Sequence, residues 1–195
     1  MPPQTTRCWN TANPLYISYH DKEWGVPEHD DRKLFEMLVL EGFQAGLTWE
    51  LILKRREAFR GAFADFDPEK VAKFSTLKVK QLLKNPDIIR NRSKILATIN
   101  NASRFMDLQK EYGSFDKFIW QFVKGNPIDH AFSSMSEMPA QTDESHTMSG
   151  ELRKRGFKFV GPTICYAFMQ AVGMVNDHLV NCFRYSQLRK SPQLL

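Results

Sequence analysis

The chain has 195 residues, of which 42% are hydrophobic and 12% aromatic, and this composition predicts a folded core and excludes an intrinsically disordered chain. Its net charge of +5 weakly favours a polyanionic partner, bound through a basic patch. No apolar run reaches membrane-spanning length, the first ten residues lack the apolar core of a signal peptide, and three cysteines do not indicate a disulfide framework, so we expect a cytoplasmic or nucleoid-associated protein that does not bind membranes.

Helical signals dominate the first half of the chain. Asp30 or Asp31 precedes an apolar segment in the position of a helix cap, and Pro68 after Asp67 is typical of a first helical turn. The segment from residue 48 to 63 places apolar residues on one face and basic residues on the other. The predicted helices of this half cover residues 33–44, 48–63, 68–74 and 77–84.

The second half is also predicted to be helical. After Pro86, a segment over residues 87–113 places apolar residues on one stripe and ends at Gly113, which suits a helix terminus. Ser114 is expected to cap the next helix, and the polar residues 125–147 are expected to form a loop. The predicted stripe consists of Ile88, Ile95, Ile99, Ala102, Phe105 and Met106. Since no segment shows convincing strand alternation, the predicted fold class is all-α.

Residues 156–182 form the most informative stretch. Gly156 and Gly161 bracket the segment FKFV, Pro162 follows at the position of a first helical residue, and an apolar helix then continues through Val172. Backbone N–H groups at the start of such a helix bind anions well, and on a basic chain the anion to expect is a nucleic-acid phosphate. Basic side chains around this hairpin fit either phosphate contacts or a solvent-exposed basic face. They are Lys154, Arg155 and Lys158.

Four potential metal ligands lie near the two ends of the chain: Cys8, His20, His178 and Cys182. On a helix, His178 and Cys182 would share a face because of their spacing. Two cysteines and two histidines are a standard tetrahedral zinc set, and four protein ligands would make one structural zinc that ties the N-terminal arm to the last helix. The alternative is that the cysteines are small buried hydrophobic residues, as we expect for Cys165. The other histidines are expected to titrate in solvent; they are His29, His130 and His146.

Glu41 interrupts the apolar segment LFEMLVLEGFQAGLTW. A carboxylate among so many apolar residues is paired, protonated or functional, because burying it alone is costly; the alternative is that it lies on the polar side of its helix beside Glu36. Gly42 and Gly46 predict a helix end that opens into a loop. Aromatic residues cluster with Glu41 in sequence, namely Tyr16, Tyr19, Trp24 and Trp49. Aromatics around one carboxylate suit a pocket that stacks a flat base, although aromatics more often fill a core.

Taken together, these stretches match a known family. The chain resembles the constitutive bacterial 3-methyladenine DNA glycosylases I, which belong to the helix-hairpin-helix glycosylases. The resemblance runs from Arg7 to about Cys182 and rests on the stretches PLYISYHDKEWGVP, LFEMLVLEGFQAGLTW, ILKRREAFR, DIIRNRSKI and RGFKFVGPTICYAFMQAVGMVNDH. Each stretch is weak alone, but in this order and at this spacing they are highly specific.

The resemblance implies a single glycosylase unit of two helical lobes over residues 1–195, with a helix-hairpin-helix at about residues 147–173. It also implies a zinc clasp that joins the N-terminal arm, about residues 1–30, to a C-terminal region at about residues 175–195. The implied activity is that of a monofunctional DNA glycosylase that flips 3-methyladenine out of alkylated double-stranded DNA and hydrolyses its N-glycosidic bond. Such a protein is expected to be a monomer without an obligate protein partner.

Site residues follow from matching positions in the family. Glu41 would be the catalytic, base-recognising glutamate, Trp49 would stack on the extruded base, and Tyr16 and Tyr19 would complete the pocket. Leu47 would lie at or near the wedge that fills the gap left in the DNA. The implied DNA contacts are Gly46, Leu47, Gly156, Lys158, Gly161 and Thr163, and the implied zinc ligands are Cys8, His20, His178 and Cys182.

The chain departs from the family pattern at two positions. Trp9 follows Cys8 directly, whereas the family usually has a residue between this cysteine and the tryptophan. Phe43 stands where a polar residue is common, so the fine detail of the pocket is expected to differ.

The expected chemistry needs little help from an acid. A base alkylated at N3 is already positively charged and leaves readily, so the enzyme mainly has to extrude, recognise and hold it. Many related glycosylases have an aspartate where this chain has Asn176, with Asp177 next to it, and those that also cut the backbone have a lysine where it has Thr163. We therefore expect base release without lyase activity.

Two other functions fit part of the sequence. A non-catalytic DNA-binding module would use the hairpin and the positive charge, but it would not need a pocket of Glu41 and Trp49. A zinc hydrolase would use His20, His178 and one cysteine with a bound water, but four good ligands and the lack of a neighbouring base-like motif argue against it.

Overall fold

A computed structural model describes residues 6–190 of the chain. The described part is mostly helical, as predicted, and none of its helices is both long and apolar enough to cross a membrane. The α-helices are α1 (Pro14–Lys22), α2 (Asp31–Gln44), α3 (Trp49–Ala62), α4 (Pro68–Val71), α5 (Thr76–Lys84), α6 (Arg92–Tyr112), α7 (Phe115–Ile119), α8 (Asp143–Lys154), α9 (Pro162–Ala171) and α10 (Phe183–Lys190). Short 3-10 helices cover Ala64–Phe66, Trp120–Val123 and Met135–Glu137.

Side-chain caps fix the ends of the predicted helices. The carboxylate of Asp30 accepts a hydrogen bond from the N–H of Lys33 at 2.9 Å and so begins α2, and the hydroxyl of Thr48 caps α3 in the same manner. Gly113 follows α6 with a φ of 88°, a left-handed conformation that glycine adopts without steric cost. These ends confirm the predicted cap at Asp30 and the predicted stop at Gly113.

The structure corrects the prediction in three places. Helix α1 is absent from the sequence prediction, although Asn13 caps it. The expected loop over residues 125–147 contains a short strand, Ile128–Asp129 (β1), which pairs in parallel with Val175–Asn176 (β2). The C-terminal part of this expected loop is helical, because α8 already begins at Asp143. Helix α6 begins at Arg92, so Ile88 of the predicted stripe lies before the helix, although it is buried as expected.

Helix α2 lies at the centre of the fold. It contacts α3, α6, α7 and α9, and all of its residues from Leu34 to Phe43 are buried. A helix that is buried on every side does not have an amphipathic sequence pattern, which explains the long apolar run around Glu41. The side chains of Glu36 and Glu41 on this helix are therefore buried.

Helix α6 anchors the segment that joins α8 to α9. The side-chain amide of Asn101 donates to the carbonyl of Lys158 and accepts from the N–H of the same residue, both at 2.8 Å. Asn100 donates to the carbonyl of Gly156, also at 2.8 Å. Gly156 has a φ of 84° and Phe159 a φ of 54°, so the turn uses left-handed backbone at two positions. The shape of this hairpin thus depends on a helix that is distant in sequence.

Candidate active site and metal centre

A cavity of about 180 Å³ lies between helices α1, α2, α3 and α9. Its aromatic wall consists of Trp9, Tyr16, Tyr19, Trp24 and Trp49. Its polar side chains belong to Glu41, Gln44 and Gln170. The four residues predicted to form a pocket therefore meet in space, although they come from three different helices.

Glu41 is the carboxylate of this cavity. Only 4% of the residue is exposed, and its side chain has no hydrogen-bond or ion-pair partner in the described part of the chain. Burial alone raises the pKa of Glu41 to about 8. Glu36, on the same helix, is also buried, but it accepts hydrogen bonds from Arg56 at 2.6 Å and Arg60 at 3.0 Å. Glu41 therefore does not lie on a polar helix face.

The aromatic wall is built around Trp9. Its ring stacks on Tyr16 with a centroid distance of 4.7 Å and lies parallel to Tyr19 at 6.2 Å. The ring of Trp49 lies 5.4 Å from that of Tyr19, and the indole N–H of Trp49 is buried without an acceptor in the described structure. Trp9 was not predicted as a pocket residue, although its position directly after Cys8 was an available signal.

The four predicted metal ligands converge on one point. The ligand atoms of Cys8, His20, His178 and Cys182 lie within 4.8 Å of one another, and all four residues are buried. Sγ of Cys182 lies 3.5 Å from Nδ1 of His178 and 3.6 Å from Nε2 of His20, and Sγ of Cys8 lies 3.4 Å from Nδ1 of His178. Such a group could hold a metal ion, and with four protein donors it would leave no open coordination position.

The outer nitrogens of both histidines are also engaged. Nδ1 of His20 lies 2.8 Å from the carboxylate of Asp21, which in turn accepts two hydrogen bonds at 2.8 Å from Arg7. Nε2 of His178 lies 3.0 Å from the carbonyl of Trp24. These acceptors direct the remaining nitrogen of each ring toward the cysteines, as the second shell of a metal site does. The donor set and its surroundings therefore fit a metal.

The two predicted ligands in the C-terminal half, His178 and Cys182, do not share a helix face. Residues 177–182 form an irregular segment between β2 and α10, with the N–H of Cys182 bonded to the carbonyl of Leu179 at 2.7 Å. The helical assumption for His178 and Cys182 was thus wrong, because this tight turn brings the two side chains together without a helix.

The metal group and the cavity share a wall. Trp9 contacts the ring of His20 at a centroid distance of 4.9 Å, and Trp24 contacts the ring of His178 at 4.6 Å. Helix α1 carries both the ligand His20 and the cavity residue Tyr19. A displacement of the ligands would therefore displace the aromatic side of the cavity.

The loop after α2 is anchored from beneath. Nζ of Lys94, a buried residue, donates to the carbonyls of Phe43 at 2.8 Å and Ala45 at 2.7 Å, so it satisfies the C-terminal end of α2. Gly46 follows with a φ of 78° and is exposed, and Leu47 is half-buried. The predicted helix end and loop are both present here.

The three basic residues near the hairpin have different surroundings. Arg155 donates to the carboxylate of Glu111 at 2.6 Å, and its guanidinium lies over the ring of Phe118. Lys154 pairs with Glu151 at 2.6 Å on the helix surface. Lys158 is exposed, and its ammonium group has no partner in the described residues. The structure therefore does not support a phosphate contact for Arg155 and leaves Lys158 as the available cation.

The prediction for Cys165 is confirmed, whereas that for His130 is wrong. Cys165 is completely buried in the apolar core, as predicted. His130 does not titrate freely in solvent, because its Nδ1 lies 2.6 Å from the buried carboxylate of Asp177, and this hydrogen bond raises the pKa of His130. His29 also has a partner, Asp116, at 2.7 Å.

Comparisons with known proteins agree with this geometry. The sequence model of a family described as methyladenine glycosylase matches residues 9–185. The DNA-3-methyladenine glycosylase 1 of Escherichia coli (strain K12) is 51% identical over 180 residues, which cover 92% of this chain and 96% of that protein. A crystal structure of 3-methyladenine DNA glycosylase I has a TM-score of 0.89 at 51% identity and covers 91% of this chain and 98% of its own. A variant of such an enzyme, solved in complex with 3-methyladenine, has a TM-score of 0.87 at 39% identity and covers 89% of this chain and 93% of its own.

Proposed function

The chain belongs to the methyladenine glycosylase family, and from this premise we propose that it excises 3-methyladenine from alkylated double-stranded DNA by hydrolysing the N-glycosidic bond. The cavity between α1, α2, α3 and α9 holds the extruded base. The chain needs no protein partner for this reaction.

The unpaired carboxylate of Glu41 in an aromatic cavity is the observation that carries this proposal. A buried carboxylate without a donor is costly, so a ligand that supplies the donor explains why it is there. The exocyclic amine of an extruded adenine is such a donor, and the positive charge of a base alkylated at N3 favours the ionised form of Glu41, which accepts from that amine. A module that only bound DNA would have no use for this cavity.

The aromatic residues hold the base, and its own charge drives the reaction. Trp49 and Tyr19 offer ring faces on which a flat cation stacks. When water attacks the sugar carbon, the electrons of the C–N bond pass to the base, and 3-methyladenine leaves as a neutral molecule. The water oxygen stays on the sugar as a hydroxyl, and the second proton of the water is released to solvent. Because the leaving group is neutral, Glu41 acts by binding and orienting the base, without donating a proton to it.

The proposed enzyme is monofunctional. Thr163 occupies the position at which backbone-cutting relatives have a lysine, and the buried amine of Lys94 is used to cap α2. No lysine lines the cavity, so no side-chain amine in its wall is placed to attack the sugar. Asn176, at the position of the aspartate in related glycosylases, and its neighbour Asp177 do not line the cavity either.

Two loops are proposed to grip the DNA. Leu47, supported by the exposed Gly46, enters the duplex in place of the extruded base. The hairpin over residues 156–161 and the start of α9 contact the backbone, since no side chain caps α9 and the N–H of Thr163 is free to bind a phosphate. Lys158 adds the positive charge.

We further propose that the metal of the buried group is one structural zinc. Two thiolates and two imidazoles are donors that zinc prefers, and the second shell already orients both imidazoles. Cys8, His20, His178 and Cys182 would hold it as a closed site, so zinc would supply folding stability and no reaction step. The rival zinc hydrolase would require an open position.

Methylated duplex DNA tests the proposal directly. The purified protein should release 3-methyladenine and leave 7-methylguanine in place when the freed bases are separated by chromatography. Glu41→Gln should lower the release of 3-methyladenine by at least about tenfold, the effect of losing a charged hydrogen bond, while DNA affinity stays unchanged. Folded, zinc-loaded protein that binds DNA and releases no base would instead support the DNA-binding module.

A further inference from the structure

Asp177 is a buried carboxylate that the proposed reaction does not use. Its side chain is completely buried, and three groups converge on it. Nδ1 of His130 lies 2.6 Å from Oδ1, the hydroxyl of Tyr166 lies 2.5 Å from Oδ2, and Nε2 of Gln170 lies 2.7 Å from Oδ2. Of these residues, only Gln170 lines the cavity. Asp177 therefore reaches the base pocket only through Gln170.

The hydrogen bonds at Asp177 have a fixed direction. Burial raises the pKa of Tyr166, and the hydrogen bond to Asp177 raises that of His130, so both groups retain their protons and donate. A carboxylate can only accept. Gln170 must therefore turn its amide nitrogen toward Asp177, a direction that the neighbouring sulfur of Met138 at 3.1 Å from the same nitrogen also favours.

This orientation decides what Gln170 presents to the cavity. A carboxamide has a donor end and an acceptor end, so fixing the nitrogen also fixes the oxygen. Gln170 is half-buried, and its side-chain oxygen accepts no hydrogen bond from the described residues although it is not fully buried. We propose that Asp177 positions Gln170 so that its carbonyl oxygen is a second hydrogen-bond acceptor of the base pocket, in addition to Glu41; this rests on the proposed function.

A pocket with two acceptors favours one kind of base. The alkylated adenine offers an amine and polarised C–H groups at its edge, all of which are electron-poor. A guanine has a carbonyl oxygen where adenine has the amine, and an acceptor facing that oxygen is repelled. The pair Asp177 and Gln170 thus contributes to discrimination between methylated adenine and methylated guanine. Gln170 is the specificity-determining residue, and Asp177 is its positioning residue.

The same contacts could instead serve only to tie α9 to the segment after β2. A substitution of Tyr166 distinguishes the positioning role of Asp177 from a purely structural one. The hydroxyl of Tyr166 donates to Asp177, but Tyr166 does not line the cavity. Tyr166→Phe removes one donor and leaves the hydrogen bond between Asp177 and Gln170 in place. It is therefore the matched control for a purely structural role.

The test compares four proteins: the natural chain and its Gln170→Met, Asp177→Asn and Tyr166→Phe variants. Free 3-methyladenine is titrated against each protein with tryptophan fluorescence as the readout, and the release of 3-methyladenine and 3-methylguanine from methylated DNA is measured. Thermal unfolding and zinc content show whether each variant is intact. Gln170→Met preserves the length of the side chain and removes both polar ends. Asp177→Asn offers a donor to Gln170, so the amide can turn its nitrogen toward the cavity.

The expected result is a Kd for 3-methyladenine raised on the order of tenfold in Gln170→Met and Asp177→Asn, with 3-methylguanine release rising relative to 3-methyladenine. Tyr166→Phe should change thermal stability alone. An unchanged Kd and base ratio in Gln170→Met would overturn the inference and leave the proposed function standing, even if Asp177→Asn fails to fold. A shift in Tyr166→Phe as large as in Asp177→Asn would overturn the positioning role. Absence of base release by the natural chain would overturn the proposed function itself.

Discussion

Glu36 and Glu41 lie on the same helix, and both are buried, yet their surroundings are opposite. The carboxylate of Glu36 forms ion pairs with two arginines, whereas that of Glu41 accepts no hydrogen bond from the described residues. Removal of the first carboxylate would be costly, because Arg56 and Arg60 of α3 would lose the partner that joins them to α2. The second lowers the stability of the fold, because burial of its charge is not offset by a partner among the described residues.

This contrast predicts a pH-dependent stability. The folded pKa of Glu41, about 8, lies above its ordinary value of 4.5, so the folded protein binds one more proton than the unfolded chain between these values. Stability is therefore lost as the pH rises through this window. Glu41→Gln should be more stable than the natural chain at pH 7, by about 3 kcal/mol, with the gain vanishing toward pH 4.5. Urea unfolding at a series of pH values measures this difference.

Glu36→Gln is the matched control for that measurement. It removes a paired carboxylate from the same helix, so it should destabilise the protein at pH 7 because Arg56 loses its buried partner. If Glu41→Gln were as destabilising as Glu36→Gln, Glu41 would have a structural role.

At the scale of the element, the hairpin between α8 and α9 presents one cation without a partner among residues 6–190, Lys158. Lys158→Gln should weaken DNA binding and lower the slope of log K against log salt concentration by roughly one, since one phosphate contact releases about one counterion. Binding of a short duplex at several salt concentrations, followed by fluorescence anisotropy, gives this slope.

Arg155→Gln provides the comparison for Lys158→Gln. Arg155 is held by Glu111 and lies over Phe118, so its loss should lower thermal stability and leave the salt slope unchanged. If the slope of log K against log salt concentration fell in Arg155→Gln and stayed unchanged in Lys158→Gln, the phosphate contact would belong to Arg155 and the prediction would be wrong.

The sequence predicts some elements and not others for physical reasons. Helices with a cap and a wide apolar stripe, such as α2, were predicted from local residues alone. Helix α1 was missed because it buries only Tyr19 and His20, so it has almost no apolar periodicity. The turn at residues 177–182 was missed because its shape depends on contacts with Cys8, which is distant in the chain. Likewise, Gln170 has no local signal, since its orientation is set by Asp177.

At the scale of the whole molecule, the N-terminal arm contacts the C-terminal half through backbone hydrogen bonds as well as through the four residues that could hold a metal. The N–H of Gly25 bonds to the carbonyl of Gln170 at 3.0 Å, and that of Glu28 to the carbonyl of Val172 at 3.1 Å. A Cβ on Gly173 would lie 2.3 Å from the carbonyl carbon of Val26, so only glycine permits this approach. The arm carries Trp9, and the cavity is therefore complete only when this arm packs against the C-terminal half.

This arrangement predicts how the protein responds to metal removal. If zinc is a structural clasp, a chelator should inactivate the enzyme slowly, and activity and helical circular dichroism should fall together, since ligands in a closed site are released only as the arm detaches. Cys182→Ala should lower stability by roughly 3 kcal/mol or more and abolish zinc binding. Cys165→Ala also removes a buried thiol, but it should retain zinc and show only the milder loss of a core side chain. Immediate loss of turnover in a protein that keeps its helical signal would instead mean that the metal takes part in the reaction.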